Sequence, residues 1–463
     1  MNASIGRLFV LVLVLFALLV AFTSRWTVFE AEALRDNDNN RRELLAEQLI
    51  KRGLIRADDG QVLARSPSLP QKRFGRRYPT GPLFAHAVGC TSLDRGRSGL
   101  EDFYNDPLTG RATDAVGALT RLLGPADVGD DLRTTLSARA QEVATDELAQ
   151  REQRGAVVAL ELETGAVKVM ASKPSFDPNA DDCGANRNVA TQDRFPPGST
   201  MKVVTAAAAL DSGEYEPTSQ VDGCNGREIS GAPLNNFGQQ DYGQIDLRTA
   251  LTNSVNTAWA GVAEDLGKET MAEYMDKFGF YEDPPMDYPD QQMIPSGINQ
   301  GRKRLTRPTS DRVDIGRVAI GQGDLEATAM QMASVAQTVG NGGMRMKPRL
   351  VSKVVDPDGR TTDEPLPEEA RRVISEETAG ELASMMQNVV EQGTGTAARL
   401  EGVDVSGKTG TAEVNTAGLN DAWFIGFTDR FAVAVVIERV QGGTGGELAA
   451  PIAAGVLKSL GED

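Results

Sequence analysis

The chain has 463 residues, a length that accommodates about three domains. Hydrophobic residues make up 40% and charged residues 24%, which excludes a mostly disordered chain, and 48 Gly and 22 Pro are too few for a collagen-like one. A net charge of −17 makes it a poor nucleic-acid binder, the single histidine, His86, excludes a histidine-rich metal site, and three cysteines exclude a disulfide-dense scaffold or a four-thiolate zinc site.

In chain order, residues 8–22 (LFVLVLVLFALLVAF) contain no polar residue, and with their flanks they approach the ~20 residues that span a bilayer. No small-x-small cleavage site follows Phe22, and Trp26 stands where an interfacial aromatic would stand. The segment reads as an uncleaved signal-anchor, with a cytoplasmic tail at 1–7, a span at 8–24 and residues 25–463 outside the cytoplasm. A cleaved signal peptide is the alternative. Residues 27–50 read as a helical stalk interrupted by the polar stretch 36–40. Residues 51–130, rich in Arg, Gly and Pro, read as a small irregular domain, with its boundary expected at 131/132.

From 132 onward the pattern changes. LRTTLSARAQEVATDELAQ has helical spacing, and GAVVALELETGAVKVMAS (155–172) reads as two strands around a turn. The middle, 198–340, is helical in pattern: MKVVTAAAALDSG, LRTALTNSVNTAWAGVAEDLG and ATAMQMASVAQTVGNGG each end in glycine, a common helix stop. Strands return at 403–414, 422–428 and 431–440, and 450–460 reads as a closing helix. Strands at both ends with helices between predict an α+β fold whose sheet is assembled from distant segments.

Three short motifs carry candidate chemistry. Ser199 follows Pro196-Pro197-Gly198 at the head of an Ala-rich helix. Alone it reads as an N-cap, but Lys202 lies three residues on, on the same face. A lysine in the first turn of a buried helix needs a partner or a depressed pKa, and a neutral lysine beside a serine is a base beside a nucleophile. Ser254-Val255-Asn256 falls between two helical stretches and alone reads as a turn or cap. Lys408-Thr409-Gly410-Thr411 falls in a strand, where lysine and threonine are ordinary but the glycine indicates close backbone approach.

Ser-x-x-Lys, Ser-x-Asn and Lys-Thr-Gly in this order form the signature of serine β-lactamases and penicillin-binding proteins. The chain resembles the penicillin-recognising serine transpeptidases, namely the short class B penicillin-binding proteins. The resemblance extends through NRNVATQDRFPPGSTMK (186–202), SVNTAWAGVAEDLG (254–267), AIGQGDLEATAMQMASVAQTVGNGG (319–343), VVEQGTGTAARLEGVDVSGKTGTAE (389–413) and AWFIGFT (422–428). Upstream, RSGLEDFYNDPLTG (97–110) resembles the pedestal-domain signature of the same family, and RGLIRADDGQVLA (52–64) resembles the short pattern that follows its membrane anchor.

The resemblance implies an antiparallel sheet flanked by helices with a helical subdomain at 132–463, preceded by a stalk and pedestal at 25–131. It implies a peptidoglycan D,D-transpeptidase in which Ser199 is the nucleophile and Lys202 its base. Ser254 and Asn256 would line the opposite wall, and Lys408 would charge the site. Thr409, Gly410 and Thr411 would bind substrate, with the backbone N–H groups of Ser199 and Thr411 as the oxyanion hole. No metal or organic cofactor is expected. Expected partners are stem peptides ending in D-Ala-D-Ala, β-lactams and a membrane glycosyltransferase. A D,D-carboxypeptidase, a β-lactamase-type hydrolase and a non-catalytic wall-synthesis scaffold are the alternatives. Cys183 and Cys224, which bracket the Ser199 helix, are expected to form a disulfide that leaves Cys90 free. His86 is expected in a strand-like piece of the pedestal, with a structural role.

Overall fold

The computed structural model describes residues 2–25, 41–110, 128–180, 187–301, 305–414 and 418–462. The helix Asn2–Ser24 contains an apolar stretch, Ile5–Ser24, long enough to cross a bilayer, and none of that stretch is buried by the rest of the chain. The stalk segment 26–40 lies outside the described residues. A short helix, Arg41–Glu47, opens the pedestal.

The pedestal is made of short strands and turns around a small sheet. That sheet runs, by residue range, 361–363, 351–355, 131–134, 55–56 and 62–64. The boundary expected at 131/132 thus falls inside the strand Asp131–Thr134, and two strands from much later in the chain complete the sheet. Beneath it lies a buried ion cluster. Glu101 is fully buried between Arg52 (2.9 Å) and Arg76 (2.5 Å), and Glu47 takes Arg52 (3.3 Å) and Arg97 (3.1 Å). Burial alone would raise the Glu101 carboxyl, but Arg76 and Arg52 more than offset it and hold its pKa below the usual carboxylate value. Breaking such a cluster from one side strands charge without water. Glu101→Ala is therefore expected to cost about 3–5 kcal/mol in urea unfolding. A loss below about 1 kcal/mol would contradict this account.

The larger domain starts with helix α1 (Ala138–Ala149), capped by the Ser137 hydroxyl, and strands β1 (Gly155–Glu161) and β2 (Val167–Lys173). Helices α2 (Lys202–Asp211), α3 (Asn256–Lys277), α4 (Ala329–Gly340) and α5 (Glu376–Gln392) follow. Strands β3 (Ser406–Glu413), β4 (Leu419–Phe427) and β5 (Phe431–Gln441) precede the closing helix α6 (Gly445–Gly461). The sheet is antiparallel in the order β3-β4-β5-β1-β2. The late strand β5 pairs with the early strand β1 from Phe431↔Glu161 to Ile437↔Gly155.

Both faces of this sheet are apolar. Val157, Ala159, Val433 and Val435 point into one core with Ala140, Ile452 and Val456 from α1 and α6. Their alternates Ala156, Val158, Ala434 and Val436 point into the other, with Val203, Ala207, Met332 and Ala336 from α2 and α4. Period-two alternation sends neighbours to opposite faces, so a strand covered on both sides reads as a continuous apolar run. Gly267 stops its helix as expected: at φ 79° and ψ 169° it lies outside the helical range, and a second helical stretch continues beyond this kink to Lys277. One expectation shifts. The closing helix starts five residues earlier than expected, because Thr444 and Glu447 form a capping box.

The expected Cys183–Cys224 disulfide is not formed. Cys224 is free, while Cys90, expected free, is disulfide-bonded; Cys183 lies outside the described residues. Cys224 stands just after the strand Gln220–Asp222, where its N–H donates to Asp222 Oδ1 at 2.9 Å. Cys90 is fully buried in the pedestal, just past the helix Ala85–Val88. The Asp222 carboxylate accepts from the Cys224 thiol and raises its pKa. Iodoacetamide under native conditions is expected to label Cys224, slowly at pH 7 and faster as pH rises, and to leave Cys90 unlabelled. Peptide mapping that finds Cys224 unlabelled and Cys90 labelled would contradict the assignment.

His86 lies in that helix rather than in a strand. Its Nε2 is 3.0 Å from Pro174 O, its ring meets Phe176 edge-on, and burial lowers its pKa to about 4. It holds the pedestal against the larger domain. Nearby, Tyr104 and the N–H groups of Leu350 and Val351 all donate to the buried carboxylate of Asp287.

Candidate active site

Each motif sits where two elements meet. Ser199 lies in a 3-10 turn, Gly198–Met201, that runs directly into α2. Gly198 has φ 52°, and a side chain there would approach the Thr411 backbone to 3.0 Å. Gly410 faces the same turn, where a Cβ would stand 2.6 Å from Pro197 O and 2.9 Å from Trp423 Cβ. These two glycines let β3 lie backbone-to-backbone against the serine turn. Trp423 on β4 locks the approach by donating Nε1–H to Pro196 O at 2.9 Å.

The second motif is the break between the helix Leu247–Thr252 and α3. Ser254 has φ 58°, uncommon for a residue with a Cβ. That turn aims both its carbonyl and its hydroxyl at Lys202, and Asn256 follows as the first residue of α3.

The five polar residues form one hydrogen-bonded cluster. Lys202 Nζ lies 3.0 Å from Ser199 Oγ, 2.7 Å from Ser254 O, 3.2 Å from Ser254 Oγ and 2.7 Å from Asn256 Oδ1. Lys408 Nζ lies 2.9 Å from Ser254 Oγ and donates to Thr409 O at 3.0 Å. Both lysines have 0% exposure. Neither has a carboxylate partner among the described residues. Burial, and then the nearby Lys408 charge, push Lys202 well below the usual lysine pKa. Burial brings Lys408 down to about 7.

This arrangement selects a protonation state. A neutral amine has two hydrogens and one lone pair. Ser254 O and Asn256 Oδ1 accept but cannot donate, so they take the two hydrogens. The lone pair of Lys202 then faces the Ser199 hydroxyl, as a base faces a nucleophile.

Ser199, Ser254, Asn256, Thr409 and Thr411 line a groove of about 930 Å3, and the two lysines lie beneath its floor. Gly410 forms part of the backbone seam behind Ser199. Sequence reasoning missed several lining residues. Thr394 stands 2.6 Å from the Thr409 hydroxyl, and the first N–H of α6, on Gly445, donates to Thr411 Oγ1 at 3.2 Å. Phe237, Tyr242, Arg317 and Gln322 complete the rim. Thr394 lies in the segment EQGTGTA, within the stretch 389–413 that carries the family resemblance, but no role is read for it there. Among the described residues no group of His, Cys, Asp and Glu could hold a metal ion.

A two-faced antiparallel sheet with Ser-x-x-Lys, Ser-x-Asn and Lys-Thr-Gly converging on one groove defines a serine acyl-transfer enzyme of the penicillin-recognising class. Residues 155–458 match the penicillin binding protein transpeptidase domain, and residues 52–126 match the penicillin binding protein A dimerisation domain. The chain belongs to the penicillin-binding protein transpeptidase family. It is 35% identical to the peptidoglycan D,D-transpeptidase PbpA of Mycolicibacterium smegmatis, over 98% of this chain and 97% of that one. It is 32% identical to PbpA of Mycobacterium tuberculosis, over 99% of each. Among solved structures it is similar to penicillin-binding protein A from M. tuberculosis as a ceftriaxone acyl-enzyme, with TM-score 0.80, 30% identity, and coverage of 90% of this chain and 99% of that one. The penicillin G acyl-enzyme of the same protein gives TM-score 0.78 at 30% identity, covering 89% and 99%.

Proposed function

We propose that this protein is a peptidoglycan D,D-transpeptidase that cross-links stem peptides through an acyl-enzyme on Ser199. The observation that carries the assignment is Lys202 Nζ, buried without a counter-ion and hydrogen-bonded to Ser199 Oγ and to two obligate acceptors. Full-length relatives named D,D-transpeptidases, and relatives crystallised as β-lactam acyl-enzymes, support the same reading.

Ser199 Oγ attacks the carbonyl carbon of the penultimate D-alanine, and its proton passes to Lys202. The oxyanion is held by the backbone N–H groups of Ser199 and Thr411. Collapse breaks the peptide bond, and the departing D-alanine nitrogen receives its proton from Lys202 through the Ser254 hydroxyl. Lys408, in contact with that hydroxyl, stabilises its passing negative charge. Thr409 and Thr411 hold the substrate carboxylate, and Asn256 holds its backbone. In the second half-reaction an amine of another stem peptide attacks the Ser199 ester and gives its proton to Lys202, forming the cross-link and freeing the serine. A β-lactam enters the same first step. Its leaving nitrogen stays tethered, so the adduct persists.

The apolar N-terminal helix fits a single-pass membrane anchor. The reading places its N-terminus in the cytoplasm and the groove outside, where the wall is made. A membrane glycosyltransferase that supplies nascent strands is the partner this arrangement calls for. The test is to incubate the full-length protein with nascent glycan strands carrying pentapeptides and to separate the digested products. Cross-linked dimers with release of D-alanine are expected. Tetrapeptide monomers as the dominant product would make it a carboxypeptidase.

A further inference from the structure

The whole-chain charge of −17 conceals a basic segment close to the membrane helix. Residues 41–97 carry twelve Lys and Arg against five Asp and Glu, a net of +7. Two of those five carboxylates are already engaged: Glu47 by Arg52 and Arg97, and Asp58 by Lys168. Lys51, Arg65, Lys72, Arg77 and Arg95 are exposed, with no carboxylate partner among the described residues.

The same region holds exposed leucines. Leu45, Leu49 and Leu69 are 51%, 56% and 44% exposed. Leu45 and Leu49 are four residues apart, at the end of the helix Arg41–Glu47 and the turn after it, while Leu44 and Glu47 face inward. The hairpin Ser68–Leu69/Arg73–Phe74 is seated beside them, because Phe74 N–H donates to Gln48 O at 2.7 Å. Its tip turns through Gln71 and Lys72, both at positive φ, so Leu69 pairs directly with Arg73 and the cations crown the apolar patch.

An apolar patch with Lys72 and Arg73 at its edge, in a segment that carries further exposed cations, matches the interface of an anionic bilayer, where leucines enter the acyl boundary and Lys and Arg meet headgroup phosphates. The chain also carries its own reason to meet that surface. Arg41 is 17 residues past Ser24, so it cannot lie more than about 60 Å from the end of the membrane helix. Such tethering keeps the patch at high local concentration beside the bilayer. We infer that this face of the pedestal docks on the anionic headgroup surface of the membrane that anchors the chain. Docking would fix the height and tilt of the groove above the bilayer.

The test uses the full-length protein in nanodiscs of phosphatidylcholine alone or with 30% phosphatidylglycerol, followed by amide hydrogen exchange. Exchange across residues 68–77 is expected to slow at least threefold in the anionic discs. The protection should vanish in 1 M salt, where the screening length is about 3 Å. It should also vanish in Lys72→Glu/Arg73→Glu/Arg77→Glu, with benzylpenicillin adduct formation unchanged as the check on folding. Equal exchange in the two disc types would overturn the inference. Protection of this segment only after a membrane-protein extract is added would also overturn it, because the face would then be a protein-docking surface.

Discussion

Replacing Lys202 with methionine is expected to slow acylation by benzylpenicillin at least ~10^3-fold, within the range that general bases contribute, without lowering the melting temperature by more than a few degrees. The rate falls because, among the described residues, the side chain hydrogen-bonded to Ser199 Oγ is Lys202, and the one histidine of the chain is buried at the pedestal junction. Stability is kept because Lys202 is buried with no opposite charge, an arrangement that costs free energy in the folded state. Methionine fills similar volume without a charge to desolvate. The loss of a donor to Ser254 O and Asn256 Oδ1 opposes this gain, so a near-neutral change is expected. Stopped-flow acylation and a thermal melt on the same sample decide it. Retained acylation would remove Lys202 as the base. A collapse in stability would make it a structural residue.

The second large effect is on pH dependence. In the proposed mechanism acylation requires Lys202 neutral and Lys408 charged. The rate therefore rises with pH as Lys202 loses its proton and falls as Lys408 loses its own, near its pKa of about 7. The two limbs belong to the coupled pair, since the Lys408 charge is one of the forces that lower Lys202. Arginine stays protonated throughout this range. Lys408→Arg is thus expected to abolish the alkaline limb, and Lys408→Met to lower the rate ~10^2–10^3-fold at neutral pH, as the loss of a charged transition-state contact does. An unchanged alkaline limb in Lys408→Arg would assign that limb to another group.

Much of the site was legible because each motif is short and local in sequence. Ser199 and Lys202 stand three residues apart where a 3-10 turn runs into α2, and Lys408 to Thr411 share a strand. What the spacing could not supply is how three distant segments meet, and the family resemblance filled that gap. Where no motif guided the reading, it failed in ways that have physical causes. Cys183 and Cys224 flank the nucleophile helix in sequence, but flanking a helix does not bring two thiols together; the pedestal took Cys90 into a disulfide instead. Residues 351–363 fall within the matched transpeptidase domain yet pair into the sheet of 55–64 and 131–134, a long-range pairing that nothing in their composition marks. Gly267 was legible as a stop because glycine adopts a positive φ freely, and it stands at φ 79° where one helical stretch breaks and the next begins.

The central claim is that Ser199 becomes acylated. Intact-mass spectrometry of the full-length protein after incubation with benzylpenicillin, beside Ser199→Ala, tests it most directly. One drug mass added to the wild type, mapped by digestion to the peptide containing Ser199 and absent from the variant, is the predicted result. An equal adduct on the variant would place the nucleophile elsewhere and contradict the account.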